Sequence, residues 1–209
     1  MAVKSTMREI AERINKTIDK LSDSEIEAMI TKIKVKGKNN KIFVMGVGRS
    51  GLVARMFTMR LVHLGLTAYV IGEIVTPAMT KNDLLITVSG SGGTKSVVSA
   101  AKTAGEIGTE VLSITSHPES ELGKISNIIV NLKVKRGAKI DTKKDYFTNQ
   151  IKGRHISQQY SEEELIPLGT LFEDTAMIFF DGVIARLMVE LKQRNEDLKG
   201  RHATLEWFA

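Results

Sequence analysis

With 209 residues, 42% hydrophobic and 26% charged, the chain can bury one sizeable apolar core and has the composition of an ordinary globular protein. It has no cysteine, which excludes disulfides and cysteine-based metal or nucleophile chemistry and fits a reducing cytoplasm. The net charge of +6 favours anionic ligands, but no nucleic-acid motif accompanies it, and no apolar run approaches the ~18 residues of a membrane span.

The first twenty residues are charged throughout and lack the apolar centre of a signal peptide. Ile10, Ile14 and Ile18, four apart, predict an amphipathic helix over 5–20. Ser22 and Glu25 form a capping-box pattern that opens a second helix through Ile26, Met29, Ile30 and Ile33. These N-terminal helices occupy residues 1–36. Five strand-like runs follow at 41–46, 67–73, 83–89, 110–116 and 127–134, alternating with helical segments at 49–64, 94–107 and 118–124. Such alternation predicts right-handed βαβ units and a parallel, helix-covered sheet, an α/β layered fold.

Residues 135–164 break this pattern. The stretch between Lys133 and Arg154 carries eight Lys or Arg against Asp141 and Asp145, and Glu162–Glu164 follow without any period. It reads as a basic, polar insertion loop. Pro167-Leu168-Gly169 closes it, and a helix apolar over most of its circumference runs from about Leu171 to Leu191, beginning the C-terminal helices of 168–209. Such a helix is buried on several sides, in the core or against another subunit. No internal repeat or second domain is visible, so residues 1–209 are read as one domain.

Two glycine-rich turns carry the chemistry. Gly46-Val47-Gly48-Arg49-Ser50-Gly51 follows the first strand, and Ser89-Gly90-Ser91-Gly92-Gly93-Thr94 follows the third. Glycines let the backbone approach a ligand, and helix N-termini offer unpaired N–H groups with a positive dipole end. Ser50, Ser89, Ser91 and Thr94 add hydroxyl donors, so the pair of turns predicts an anionic small molecule, a phosphorylated sugar above all. In letters alone, Gly46-x-Gly48-x-x-Gly51 with Glu73 further on also matches a dinucleotide fingerprint. A nicotinamide oxidoreductase is therefore the rival reading, but it leaves the serine-rich second turn unexplained.

The segments Gly48-Arg49-Ser50-Gly51-Leu52-Val53-Ala54, Met59-Arg60-Leu61-Val62-His63-Leu64-Gly65, Val70 to Pro77, Ser89-Gly90-Ser91-Gly92, Pro167 to Glu173 and Arg201-His202-Ala203-Thr204-Leu205-Glu206 closely resemble the 6-phospho-3-hexuloisomerases, of the sugar isomerase (SIS) fold. The resemblance implies a flavodoxin-like sandwich with a five-stranded parallel sheet. It also implies a homo-oligomer, typically a tetramer, with sites between subunits. The implied activity interconverts 3-hexulose 6-phosphate and fructose 6-phosphate through a cis-enediolate, without metal or redox cofactor. Members often carry Glu where this chain has Gly93. SIS domains also serve in regulators, so a non-catalytic sugar-phosphate sensor is a second alternative.

On this resemblance Glu173 is the expected base, with apolar neighbours Leu171 and Phe172 to raise its pKa. The competing reading makes Thr170-x-x-Glu173 a capping box. Ser50, Ser89, Gly90, Ser91, Gly92, Gly93 and Thr94 are the expected substrate contacts, with the phosphate on the helix starting near Thr94. Arg49 is expected to steady the phosphate or the enediolate charge. His63 and His202 compete for the proton transfer between oxygens, the latter within reach of a neighbouring subunit. Trp207 and Phe208 are expected to pack on a partner subunit.

Overall fold

In the computed structural model, residues 3–134, 166–167 and 169–202 are described. The basic insertion expected at 135–164 lies outside them, as do Leu168, Trp207 and Phe208. The chain runs α1 (Val3–Ile18), α2 (Asp23–Gly37), β1 (Ile42–Gly46), α3 (Arg49–His63), β2 (Ala68–Val70), β3 (Leu84–Val88), α4 (Lys95–Ile107), β4 (Glu110–Thr115), α5 (Glu121–Ile125), β5 (Ile128–Asn131), α6 (Thr170–Glu190) and α7 (Asn195–Lys199). The strands form one parallel sheet in the order β2-β1-β3-β4-β5. This is the doubly wound, flavodoxin-like order.

Local signals place the elements. Ser22 caps α2, its hydroxyl accepting from the Glu25 N–H at 3.4 Å, but only this half of the expected capping box forms, since Glu25 Oε2 accepts from the Asn131 N–H at 2.8 Å. Gly108 ends α4 in the left-handed conformation (φ 87°). Every residue of β3 is buried, as a central parallel strand covered on both faces requires.

Period-two alternation divides the sheet's side chains between two cores. Ile42, Val44, Leu84, Ile86, Val88, Leu112, Ile114 and Val130 face α2, α3 and α6. Phe43, Leu85 and Val111 face α4 and Leu122 of α5. Across the first core, Phe57 of α3 stacks on Phe180 of α6 with ring centroids 4.0 Å apart. No described helix is long and apolar enough to cross a membrane.

Candidate active site

β1 and β3 are neighbours in the sheet, yet the chain leaves β1 toward β2 on one side and β3 toward β4 on the other. Ligands of open α/β sheets bind at the carboxyl ends of strands flanking such a switch. Both glycine turns are there, one after Gly46 and one after Val88.

The first turn is tight because its backbones touch. A Cβ on Gly46 would lie 2.7 Å from the Ser50 carbonyl oxygen, and one on Gly51 would lie 2.8 Å from the Gly46 oxygen. Gly48, the N-cap of α3, has φ 61° and ψ −136°, a conformation open essentially to glycine alone. Together they lay the start of α3 against the end of β1 and turn Ser50 inward, leaving it 8% exposed.

The Ser50 hydroxyl donates to Glu173 Oε1 at 2.9 Å. Arg49 Nε stands 3.8 Å from Glu173 Oε2, and its Nη2 donates to Asp174 Oδ1 at 3.4 Å. The Glu173 side chain is 13% exposed, so this carboxylate is held between a hydroxyl and a cation with little direct hydration.

The capping-box reading of Thr170 and Glu173 does not hold. The N-cap of α6 is Gly169, Thr170 is already helical, and no side chain caps this end. The Glu173 carboxylate instead lies against Gly169, where a Cβ would come within 2.8 Å of Oε2. Glycine at 169, with φ 85°, leaves that carboxylate its room. Being in the first turn of α6, Glu173 also meets the positive end of the helix dipole.

The second turn packs on the same helix end: a Cβ on Gly90 would lie 2.9 Å from the Phe172 ring. Within the turn, Ser89 is 3% exposed and shares a hydroxyl–hydroxyl hydrogen bond of 3.2 Å with Thr94. Ser91 Oγ accepts from the Gly93 N–H at 3.3 Å. Thr94 is the N-cap of α4, but its side chain makes no capping bond and goes to Ser89 instead. Hydroxyls joined in this way, above a helix N-terminus, can rotate together to present O–H groups to an anion.

Arg49, Ser50 and Glu173 thus touch one another, and Phe172 joins them to the turn from Ser89 to Thr94. His63 and His202 are elsewhere. Their rings meet at a tilt, with centroids 4.3 Å apart, at the far end of α3, about 20 Å from Arg49 at ~1.5 Å rise per residue. Arg201 fastens this end by donating to the His63 carbonyl oxygen at 3.0 Å and to Gln193 Oε1 at 2.8 Å. Glu73 follows β2 and pairs with Arg55 at 2.8 Å.

Near the turns, the sequence pointed to no role for Asp174 or His117, and to Phe172 only as an apolar neighbour of Glu173. Asp174 is the stronger polar partner of Arg49, Phe172 buttresses Gly90, and His117, just past β4, donates from Nδ1 to the Gly90 carbonyl oxygen at 2.8 Å. The rule that strand carboxyl ends face the ligand flags His117, since it lies two residues beyond Thr115.

The SIS domain family model matches residues 37–144. A 3-hexulose-6-phosphate isomerase of Bacillus subtilis is 34% identical over 198 residues, covering 95% of this chain and 96% of its own length. A protein of Aeropyrum pernix with no assigned function is 43% identical over 203 residues, covering 96% and 91%. Among solved structures, a Methanococcus jannaschii protein with an inferred 3-hexulose-6-phosphate isomerase function has a TM-score of 0.75 and 32% identity, covering 95% of this chain and 98% of that one. With its sheet order, its two turns and these relatives, the chain belongs to the SIS domain family, in its 3-hexulose-6-phosphate isomerase branch.

Proposed function

We propose that this protein interconverts 3-hexulose 6-phosphate and fructose 6-phosphate, with Glu173 as the base. The observation that carries the reading is the Ser50–Glu173 hydrogen bond. It holds a largely buried carboxylate beside Arg49 and joins it, through Phe172, to a hydroxyl-rich turn at a helix N-terminus.

The phosphate binds across the hydroxyls of Ser89, Ser91 and Thr94, against Gly90, Gly92 and Gly93, at the start of α4. That anchors C6 and lays C2 and C3 toward Glu173. Glu173 takes the proton from C2 of the 3-ketose, and the C–H electrons form the C2–C3 double bond. The C3 carbonyl oxygen becomes an enediolate oxygen, whose charge Arg49 offsets. The proton of the C2 hydroxyl passes to the C3 oxygen, and Glu173 returns its proton to C3. The C2 carbonyl of fructose 6-phosphate results, with no net change in protons or electrons.

The proton passed between oxygens is the task for His63 or His202. Because both stand about 20 Å along α3 from Arg49, we assign them to a neighbour's site in a homo-oligomer, a tetramer by family habit. The outer face of α3 exposes Leu52, Met59 and Val62, and the segment after β2 exposes Ile74 and Val75, which supports association there. The cysteine-free composition supports a cytoplasmic setting.

The test is turnover by the purified protein, fructose 6-phosphate against its 3-hexulose partner, without added metal or nicotinamide. Interconversion is expected. Thermal stabilisation by fructose 6-phosphate without turnover would replace an enzyme by a sensor. Stabilisation by a nicotinamide dinucleotide would move the ligand to the first turn alone.

A further inference from the structure

The second glycine turn is not self-supporting. The segment after β4 holds it at two carbonyls. The Gly92 oxygen accepts from the Leu122 N–H at 3.1 Å. The Gly90 oxygen accepts from the Ser116 N–H at 3.2 Å, from Thr115 Oγ1 at 3.5 Å and from His117 Nδ1 at 2.8 Å. The His117 contact is the shortest of the three to Gly90. Since a carbonyl oxygen only accepts, Nδ1 carries the proton, and the ring's other nitrogen does not make this contact. The residue's main chain is itself held, the His117 backbone N–H donating to Thr115 Oγ1 at 3.1 Å.

The Gly90 carbonyl belongs to the same peptide unit as the Ser91 N–H. Among the described residues, no hydrogen bond engages that N–H. Donors on the carbonyl polarise the peptide unit and make its N–H a better donor in turn. Gly90 also abuts the Phe172 ring, next to Glu173. Gly90 therefore contacts both an imidazole and a phenyl ring, and its orientation sets where the turn stands relative to the carboxylate.

We propose that His117 is a positioning residue of the phosphate turn: its Nδ1–H holds the Gly90 carbonyl and so directs the Ser91 N–H toward the bound phosphate. This rests on the reading of the site given above. His117 does not touch the reacting carbons, so its loss is expected in substrate affinity rather than in the chemical step.

The experiment compares wild type with His117→Phe, His117→Ala and His117→Asn for KM, kcat and thermal unfolding. Phe keeps the ring without the donor, Ala removes both, and the Asn amide N–H reaches the place of Nδ1–H. The expected result is a KM for fructose 6-phosphate raised about fivefold in the Phe and Ala variants with kcat within about twofold, and a KM near wild type in the Asn variant. Unchanged KM in either donor-less variant that remains folded overturns the proposal. So does an equal loss of kcat in all three, which marks a merely structural residue. A wild-type protein that neither turns over nor binds fructose 6-phosphate overturns the reading of the site beneath it, and the proposal with it.

Discussion

Ser50 and Glu173, 123 positions apart, meet at 2.9 Å because the two helices that carry them run side by side in the same direction. Seven residues further along each helix, Phe57 meets Phe180. The same offset at both contacts fixes the helices in register, so the aromatic stack in the core sets the hydrogen bond at the site. Replacing Ser50 by Ala removes a hydrogen bond to a charged acceptor, worth about 1.5–3 kcal/mol. We expect kcat to fall about tenfold or more with the fold intact, measured as turnover alongside the unfolding temperature.

Phe57→Ala tests the same register from the core. Phe57 is fully buried, and truncating a buried Phe costs about 3–5 kcal/mol. The expected outcome is a large loss of stability in denaturant unfolding, with kcat reduced in the fraction that remains folded. A Phe57→Leu variant, which keeps most of the volume, should recover much of both.

Gly92 and Gly93, adjacent in the second turn, differ in what a side chain would meet. A side chain at Gly92 (φ 62°) would run into Ser120, whereas Gly93 faces open space. Gly92→Ala is expected to destabilise the turn and raise KM. Gly93→Ala and Gly93→Glu should leave stability within about 0.5 kcal/mol. Thermal unfolding of the three variants separates these outcomes.

Ser89→Ala combined with Thr94→Ala removes the linked hydroxyl pair. KM for fructose 6-phosphate should rise, by about tenfold if each hydroxyl contributes ~0.7 kcal/mol, while the unfolding temperature changes little. An unchanged KM would move the phosphate away from this turn.

Asp83, 2% exposed, accepts from the Lys41 N–H at 2.8 Å and from the Thr80 N–H and hydroxyl at 2.7 and 2.9 Å, and pairs with Lys41 Nζ at 3.2 Å. Burial pulls its pKa upward, but these four contacts outweigh burial and hold the carboxyl below its ordinary value of 3.8. A carboxyl whose folded-state pKa is depressed stabilises the fold fully above its unfolded value, and that stability is lost as pH falls through the folded value. Asp83→Asn should therefore destabilise the protein at pH 7, with the gap from wild type closing only below about pH 4. Urea midpoints across pH 3–7 provide the check.

The alternation of apolar runs with helical segments was enough to read the sheet and its flanking helices, because buried parallel strands and amphipathic helices leave strong periodic signals. Ser22 gave the start of α2 for the same local reason. Thr170 and Glu173 show where local reading fails. Their spacing matches a capping box, but Gly169 takes the N-cap, and the carboxylate is claimed by Ser50 from another helix. No local rule reports a partner 123 positions away. Likewise, no local rule brings His202 against His63 at the far end of α3. The contact of His117 with Gly90 depends on β3 and β4 being neighbours, which sequence order alone does not specify.

In the proposed reaction the Glu173 carboxylate moves the carbon-bound proton. The most direct test is Glu173→Gln, which keeps the side chain's size and its hydrogen bond with Ser50 while removing the base. Turnover should fall by at least about 10²-fold, and fructose 6-phosphate should still stabilise the variant against thermal unfolding nearly as it does the wild type. Turnover within a few-fold of wild type would contradict the account and place the base elsewhere.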